Sequence, residues 1–593
     1  MNSFTSHTAD ENCGSRAAGL SRLDRSKSSF KAGRWVIAGL LVLWFVPRAT
    51  IAWKEDVLFP DGVTYIGLAA RMEGAAAYGT LDPRHFNVYP TILMLLHHLG
   101  WSWETTGTAW GVFCGTIIVL PLFGWLRRLF NDEIAVVGCI LCGLHPKLVE
   151  WSPQLIRDPT FCLFTICGLY CSWRAVTKLR ATWFLAAGFA TFAALQTRFE
   201  GWFLLLPQCV WSVSRFRRSP ELRRSLVFGW LQAASALPIG LVLVNAAFGS
   251  IFSGWIWGGN LHKIGYLNQV PVVSKLIPSY LLPDLSPLRV PLGAPPGVAL
   301  PPPIDARRSV GEPVTLPAPS DARTTAPSSV AELSIGSVAQ SINAVQVTWM
   351  SCRVLVRGFG PFYAALFAIG LIGGRKQLNI DRQAVLLLIA TTILAIWLHT
   401  WQSKVTSSRY ALPLVLAGAP FAAIGWFIAA DYLQRRFAVV RLFPRRTTQI
   451  PGIPPLQAAS AALFGVAALI LIVDSFLAHD APFRAQQSLG RWVLEDVGPN
   501  RRLAGSESLS VAAYYSAADY YYKPSGPESL ATLIQEHSPD VLILTTDVAS
   551  QAAVVPTTYR QVDTTDLPQE CRQKYAVLVR RTMQAQRERV SQR

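Results

Sequence analysis

The sequence "FPDGVTYIGLAARM" (59–72) follows a long apolar run at 33–52 and precedes a shorter one at 88–101. Its Pro-Asp-Gly triplet is a strong turn signal and places the carboxylate of Asp61 just beyond the first run. The apolar residues behind this acid recur at helical spacing. They are Tyr65, Leu68, Ala69 and Met72. The stretch therefore predicts an interfacial helix with an acid at its start, where the first run leaves a membrane.

The composition of the 593 residues indicates a membrane protein. Hydrophobic residues make up 51% of the chain, charged residues only 15%, and the mean hydropathy is +0.31. A soluble protein of this length carries about a quarter charged residues. The apolar residues cluster into runs of roughly 16 to 23, a length that crosses a bilayer as a helix. Because nothing alternates like a barrel strand, we predict a mainly α-helical, polytopic membrane protein.

Eleven apolar runs predict transmembrane helices. They are 33–52, 106–128, 132–148, 157–174, 181–196, 199–214, 226–248, 354–373, 383–399, 409–430 and 457–477. With the basic tail 1–32 in the cytoplasm, every loop expected on the cytoplasmic side is basic, as the positive-inside rule requires. The net charge of +18 is concentrated in these loops, so no nucleic-acid partner is predicted.

The first outer loop, 53–105, is predicted to hold two interfacial helices. The second covers 88–101, which is about 14 residues and too short to cross the membrane upright. No predicted outer loop carries an Asn-x-Ser/Thr glycosylation site. This favours the bacterial cell (inner) membrane over the endoplasmic reticulum.

Two larger parts are predicted outside the membrane. The loop 249–353 contains a Pro-rich insert at 283–330 that cannot build a core. Beyond the transmembrane domain, 33–477, the segment 478–593 reads as a small extracytoplasmic α/β domain. Its predicted elements are strands at 501–508, 539–547 and 574–581 and a helix at 527–537.

Acids and cations gather on the predicted outer face. Asp61 follows the first span, and Asp158 precedes Pro159, which suits the first turn of the fourth span. The plainer alternatives are a turn residue for Asp61 and a helix cap for Asp158. The polar groups expected on the same face are Arg84, His85, Arg157, Arg198, Glu200, His399, Lys404, Arg409 and Tyr410. For the two His, a hydrogen-bonded structural role is the alternative.

These side chains suit a reaction at an anionic lipid headgroup. Ionisable residues at membrane depth are costly and usually functional. One carboxylate would take a proton from an acceptor hydroxyl. Arg, Lys or a metal ion would stabilise a phosphate that leaves with added negative charge.

Four segments resemble the GT-C class of membrane glycosyltransferases, in the branch of protein O-mannosyltransferases and lipid A aminoarabinose transferases. They are "FPDGVTYIGLAARM", "HFNVYPTILMLL", "LIRDPTF" and "SSRYALPLVL". The resemblance covers roughly residues 33–430 in the same order and with the same sidedness. The chain departs from that family at Tyr89-Pro90, where a Pro pair or Lys-Pro is common, and at Asp61-Gly62, where Asp-Glu is common.

The resemblance implies sugar transfer with inversion at the outer face. A hexosyl or pentosyl group would pass from a polyprenyl-phosphate donor, such as an undecaprenyl- or dolichyl-phosphate sugar, to a lipid, glycan or protein acceptor. Asp61 would be a general base or metal ligand and Asp158 the second acid, so a divalent metal ion is a candidate cofactor. Candidate donor-phosphate ligands are Arg198, Lys404 and Arg409. Candidate substrate contacts are Tyr65, Arg84, His85, Glu200, His399 and Tyr410.

Two other functions are compatible with a polytopic chain. The first is a transporter or a carrier of lipid-linked sugars without transferase activity. Transporters usually show paired repeats and broken helices at mid-membrane, whereas here the charges gather at the outer edge. The second is a structural or sensory membrane protein whose outer domain binds a partner.

Overall fold

The described part of the computed structural model covers most of the predicted membrane helices and much of the C-terminal region. It comprises residues 33–54, 57–74, 81–83, 86–256, 344–375, 378–403, 407–437, 465, 469, 473, 481–499, 501–505, 509–522, 534–535, 537–545 and 557–581. The predicted insert 283–330 lies outside these residues, as do nearly all of the run 457–477 and most of the helix at 527–537.

The described chain is mainly helical. Its helices are α1 (Arg34–Lys54), α2 (Pro60–Glu73), α3 (Val88–His97), α4 (Trp103–Ile117), α5 (Val119–Leu129), α6 (Asp132–Gly143), α7 (Pro146–Glu150), α8 (Asp158–Lys178), α9 (Ala181–Thr197), α10 (Leu205–Arg218), α11 (Arg223–Phe248), α12 (Ala344–Phe359), α13 (Pro361–Gly373), α14 (Ile380–Ser403), α15 (Leu412–Phe437), α16 (Ala481–Asp496) and α17 (Ser510–Tyr515). Short 3-10 helices cover Phe199–Leu204 and Ser408–Ala411. The helices predicted at 59–72 and 88–101 are both present, as α2 and α3.

Several helices are long and apolar enough to cross a bilayer. Among the described residues there are five such stretches, or six if α12 and α13 together form one span. The five are Arg34–Lys54, Trp103–Leu129, Pro220–Ile251, Ile380–Trp401 and Ser408–Tyr432. These helices agree with a multi-pass membrane protein, while the number of eleven spans stays a prediction.

Two predicted spans differ from the helices observed. Over 354–373 the chain forms two helices bent by 96°, because Gly360 adopts a φ of +67° and Pro361 starts the next helix. Over 132–148, α6 ends at Gly143, and its 12 residues rise only about 18 Å. Hydropathy alone could not place either break.

A row of glycines on α4 brings the segment 152–157 close to the helix axis. Gly107, Gly111 and Gly115 recur every four residues, so they share one face. A Cβ at Gly111 would overlap the backbone oxygen of Ser152, and one at Gly107 would overlap the Leu155 side chain. The glycines therefore let the segment that precedes α8 pack directly on α4.

The C-terminal region contains a five-stranded mixed sheet. Its strands are β1 (Arg502–Gly505), β2 (Asp519–Tyr522), β3 (Val541–Thr545), β4 (Tyr559–Gln561) and β5 (Tyr575–Arg580), in the order β2-β1-β3-β5-β4. β1 pairs in parallel with β2 and β3, and β5 pairs antiparallel with β3 and β4. β1, β3 and β5 lie where strands are predicted. The sequence prediction missed β2, β4, α16 and α17.

The sheet region packs against the helices that follow the first span. The ring centroids of Phe483 on α16 and Phe59 are 5.2 Å apart. Tyr514 on α17 donates a 2.5 Å hydrogen bond to Glu104 at the start of α4. Tyr514 and Ile66 of α2 belong to one buried apolar cluster. The C-terminal region is therefore anchored beside the segment that carries Asp61.

Candidate active site

Asp61 lies in the first turn of α2, whose second residue it is. The helix dipole favours a negative charge at this end. Its Oδ2 accepts from Nη2 of Arg409 at 2.6 Å, and Arg409 lies in the 3-10 turn that opens α15. The Asp61 side chain is 37% exposed, whereas that of Arg409 is 12% exposed. Asp61 is thus held in place at one oxygen and remains accessible.

Asp158 is the first residue of α8 and is buried, with only 5% of its side chain exposed. The N-cap residue of this helix is Arg157, so the structure does not bear out the cap alternative for Asp158. Instead Asp158 accepts from Nη1 of Arg198, which follows the end of α9. Arg198 also binds Glu200 at 2.5 Å. A buried guanidinium shared by two carboxylates is a fixed ionic unit.

The two ion pairs meet at the ring of Tyr410. The guanidinium of Arg198 lies 5.2 Å from the ring centroid, and that of Arg409 lies 5.6 Å from it. Both distances fall within the range of a cation–π interaction. Arg409 also interacts electrostatically with both Asp158 and Asp61. The two predicted acids therefore belong to one cluster of ionic side chains around Tyr410, called the pocket below.

Arg409 has hydrogen-bonding capacity that the described protein groups do not use. Its Nε and Nη1 are buried and have no hydrogen-bond partner among the described residues. Buried donors without partners are costly, and in native proteins they often mark a site for water or an ion. Since the donors belong to a cation, an anionic group is the ligand that suits them.

Tyr65 lines the same pocket from α2. Its ring centroid lies 5.9 Å from the guanidinium of Arg157 and 5.1 Å from the ring of Tyr89. Burial raises the pKa of Tyr65, and the positive charge of Arg157 opposes this shift. The phenol therefore stays protonated at neutral pH and can donate a hydrogen bond.

The predicted site residues fall into two groups. Arg84, His85 and Lys404 lie outside the described residues. The others come together around the two acids, including His399, whose ring centroid is 5.0 Å from that of Tyr410. The assembled residues are Asp61, Tyr65, Asp158, Arg198, Glu200, His399, Arg409 and Tyr410.

The two acids do not form a ready-made metal site in the described part of the chain. No group of three His, Cys, Asp or Glu side chains is placed to hold a metal ion there. Asp61 and Asp158 each face a guanidinium instead. Because a guanidinium group already binds one oxygen of each acid, these residues do not fit a divalent metal ion.

Sequence reasoning missed a buried arginine that supports the site. Arg48 of α1 is fully buried and donates from Nε to the Ser152 hydroxyl at 3.0 Å. It also donates from Nη1 to the carbonyl oxygens of Trp44, at 2.7 Å, and Gly143, at 3.2 Å. These bonds tie α1 to the segment 152–157 that leads to Asp158. The signal was visible: an arginine inside the apolar run 33–52.

The fold is similar to that of a solved membrane glycosyltransferase of the GT-C class, as the resemblance in the sequence implies. The chain matches ArnT from Cupriavidus metallidurans in the apo state with a TM-score of 0.51 at 13% identity, covering 92% of this chain and 97% of that one. ArnT has also been crystallised bound to undecaprenyl phosphate. A match to the Archaeoglobus fulgidus oligosaccharyltransferase has a TM-score of 0.48 at 12% identity, covering 88% of this chain and 70% of that one.

Residues 88–244 match the family model described as dolichyl-phosphate-mannose-protein mannosyltransferase. The matched part runs from the start of α3 to near the end of α11 and includes Asp158, Arg198 and Glu200. Asp61 and Arg409 lie outside it. Among curated proteins, none matches the sequence.

Proposed function

We propose that the protein is a glycosyltransferase that moves a sugar from a polyprenyl-phosphate donor to an acceptor hydroxyl on the extracytoplasmic face, with inversion. The observation that carries this proposal is the pairing of Asp61 and Arg409. An accessible carboxylate stands beside a buried guanidinium that has two unpartnered nitrogens. The pair supplies a proton acceptor and an anion holder at one place.

In the proposed reaction, Asp61 takes the proton from the acceptor hydroxyl as its oxygen attacks the anomeric carbon of the donor. The new carbon–oxygen bond forms on the face opposite the phosphate, and the bond to the phosphate oxygen breaks. Polyprenyl phosphate leaves with one more negative charge. Nε and Nη1 of Arg409 stabilise that charge by donating hydrogen bonds to it.

Asp158 acts as a positioning residue in this scheme. It is buried against Arg198, which also binds Glu200, so its carboxylate is less accessible to an acceptor than that of Asp61. Its negative charge holds Arg198 beside the ring of Tyr410, and Tyr410 in turn packs against Arg409. The pair Asp158–Arg198 thereby keeps the Tyr410 ring in position against Arg409.

The donor class is supported by the family model, whose description contains dolichyl-phosphate mannose, a polyprenyl-phosphate sugar. In this proposal Lys404 is a further phosphate ligand, and the substrate is also contacted by Arg84, His85 and His399. In this proposal, residues 33–477 form the catalytic membrane domain and 478–593 an extracytoplasmic domain, in a bacterial inner membrane. The tail 1–32 is cytoplasmic.

The test is turnover of a defined donor by the purified full-length protein. We expect radiolabelled polyprenyl-phosphate sugar to be consumed in the presence of acceptor extract, and NMR of the product to show the opposite anomer. Counterflow of the intact donor in proteoliposomes, without any cleaved sugar–phosphate bond, would instead identify a carrier and overturn the proposal.

A further inference from the structure

A large cavity lies on the flank of the molecule, apart from the acids of the candidate site. Its volume is about 1230 Å³, and it is bordered by α1, α4, the loop at 153–155 and helix α16 of the C-terminal region. On α4 it is lined from Glu104 to Ile117. These fourteen residues of helix rise about 20 Å, so the cavity is an elongated cleft.

The lining of the cleft changes from apolar to polar along its length. The part between the spans is bordered by Phe45, Ala49, Val112 and Phe113. The outer end, where α1 finishes and α4 begins, carries Ser102, Thr105, Gln154 and three charged side chains. A cleft with this gradient fits an amphiphile whose chain lies between the helices and whose polar head lies at the outer end.

The charged groups at the outer end determine which lipid headgroup fits the cleft. Arg491 is exposed on α16, with its guanidinium 5.7 Å from the ring centroid of Tyr515. Glu495 follows one turn later on the same helix, and Glu104 faces them from α4, where it accepts from Tyr514. One cation beside two carboxylates complements a phosphate that is joined to an amine.

We propose that this cleft binds a membrane phospholipid with a phosphate-and-primary-amine headgroup, such as phosphatidylethanolamine. Arg491 binds the phosphate, and the two carboxylates accept hydrogen bonds from the ammonium group. A headgroup with a phosphate alone offers neither carboxylate an ammonium partner. A quaternary amine supplies the charge but has no N–H donor.

The cleft ends against the segments that carry the two acids. Leu58 and Leu155 both line it, and they lie three residues before Asp61 and Asp158 respectively. A phospholipid bound there fixes α16 against α1 and α4 and supports the wall behind the pocket. The inference does not depend on the transfer reaction, because the lipid is a resident of the cleft.

The test uses full-length protein in nanodiscs that contain equal parts of phosphatidylethanolamine, phosphatidylcholine and phosphatidylglycerol, each supplied in turn with a photoreactive acyl chain. We expect the phosphatidylethanolamine probe to label peptides of α1 and α4 about tenfold more than the other two, since neither of the others can donate N–H hydrogen bonds to the carboxylates. Glu495→Gln is expected to reduce that preference, and Ala109→Trp to remove labelling by filling the cleft.

The matched control is Leu231→Trp, which places the same side chain at a lipid-exposed position of α11 outside the cleft. It should leave the labelling unchanged. The proposal would be overturned if all three lipids labelled the protein equally or if phosphatidylglycerol labelled it more strongly. Full labelling of both Ala109→Trp and Glu495→Gln would overturn it as well. Donor binding is measured in parallel, so failure of the lipid site is distinguished from failure of the transferase.

Discussion

At the scale of single residues, the site is organised by two arginines with different tasks. Arg198 is saturated by Asp158 and Glu200, whereas Arg409 is bonded to Asp61 and keeps two donors unpartnered among the described residues. The acids could be predicted because charges at a membrane face are rare and costly. Their partners could not, since Arg198 lies 40 residues from Asp158 and Arg409 is farther still from Asp61.

The arginine geometry leads to a prediction for Arg409→Lys. Lysine keeps the positive charge but cannot bind Asp61 and a phosphate through separate nitrogens of one planar group. We expect kcat to fall about 100-fold, the usual effect of losing a donor to a developing negative charge. Initial rates with saturating donor measure it. Arg128→Lys, which alters a guanidinium stacked on Tyr170, should leave the rate unchanged.

The two acids are expected to differ in their effect on stability. Asp158→Asn leaves the buried Arg198 with one carboxylate partner fewer, which should cost about 3 kcal/mol of unfolding free energy. Asp61→Asn should cost less than about 1 kcal/mol, because that carboxylate is more than a third exposed. Thermal melting of the detergent-solubilised variants compares them. Equal Tm losses would contradict the separate tasks assigned to the two acids.

At the scale of elements, the close approach of α4 and the segment 152–157 decides where Asp158 lies. The spacing of Gly107, Gly111 and Gly115 was visible in the sequence, but such a row more commonly marks a contact between two helices. Here its partner is an irregular segment, to which Arg48 donates a hydrogen bond at Ser152. Helix periodicity carries no information about irregular partners, so this contact could not be predicted.

Gly111→Ala tests the contact. The added methyl group would meet the Ser152 backbone oxygen, and neither backbone can move away without shifting the segment. We expect a loss of about 1–3 kcal/mol in stability and a parallel loss of activity. Gly39→Ala on α1, where nothing lies within 4 Å of the new methyl group, should be neutral or slightly stabilising. Equal changes in stability and activity in the two variants would argue against the packing role of Gly111.

At the scale of the whole molecule, the C-terminal sheet region and the pocket share one side. Phe483 and Tyr514 anchor the region beside Asp61. The helical membrane class and three of the five strands in the described residues followed from hydropathy and apolar runs, and the GT-C fold from the resemblance of four segments. The number of spans did not, because the bend at Gly360 and the early end of α6 depend on local backbone geometry that average hydropathy ignores.

The proposed sidedness predicts the outcome of reporter fusions. Alkaline phosphatase joined after residue 593 should be active, because it folds only outside the cytoplasm of bacteria. The same enzyme joined after residue 32 should be inactive, and a fluorescent cytoplasmic reporter there should give signal. The reverse pattern would place the pocket on the cytoplasmic side and exclude an extracytoplasmic transfer.

The most direct measurement is sugar transfer by the Asp61→Asn protein. The amide keeps the shape of the side chain but cannot take up the acceptor proton, so we predict a rate about 10²–10⁴-fold below that of the unaltered protein. The matched control is Asp132→Asn, which removes a carboxylate bound to Arg127 at 2.7 Å, remote from the pocket, and should keep full activity. Near-normal turnover by a folded, membrane-inserted Asp61→Asn protein would contradict the account.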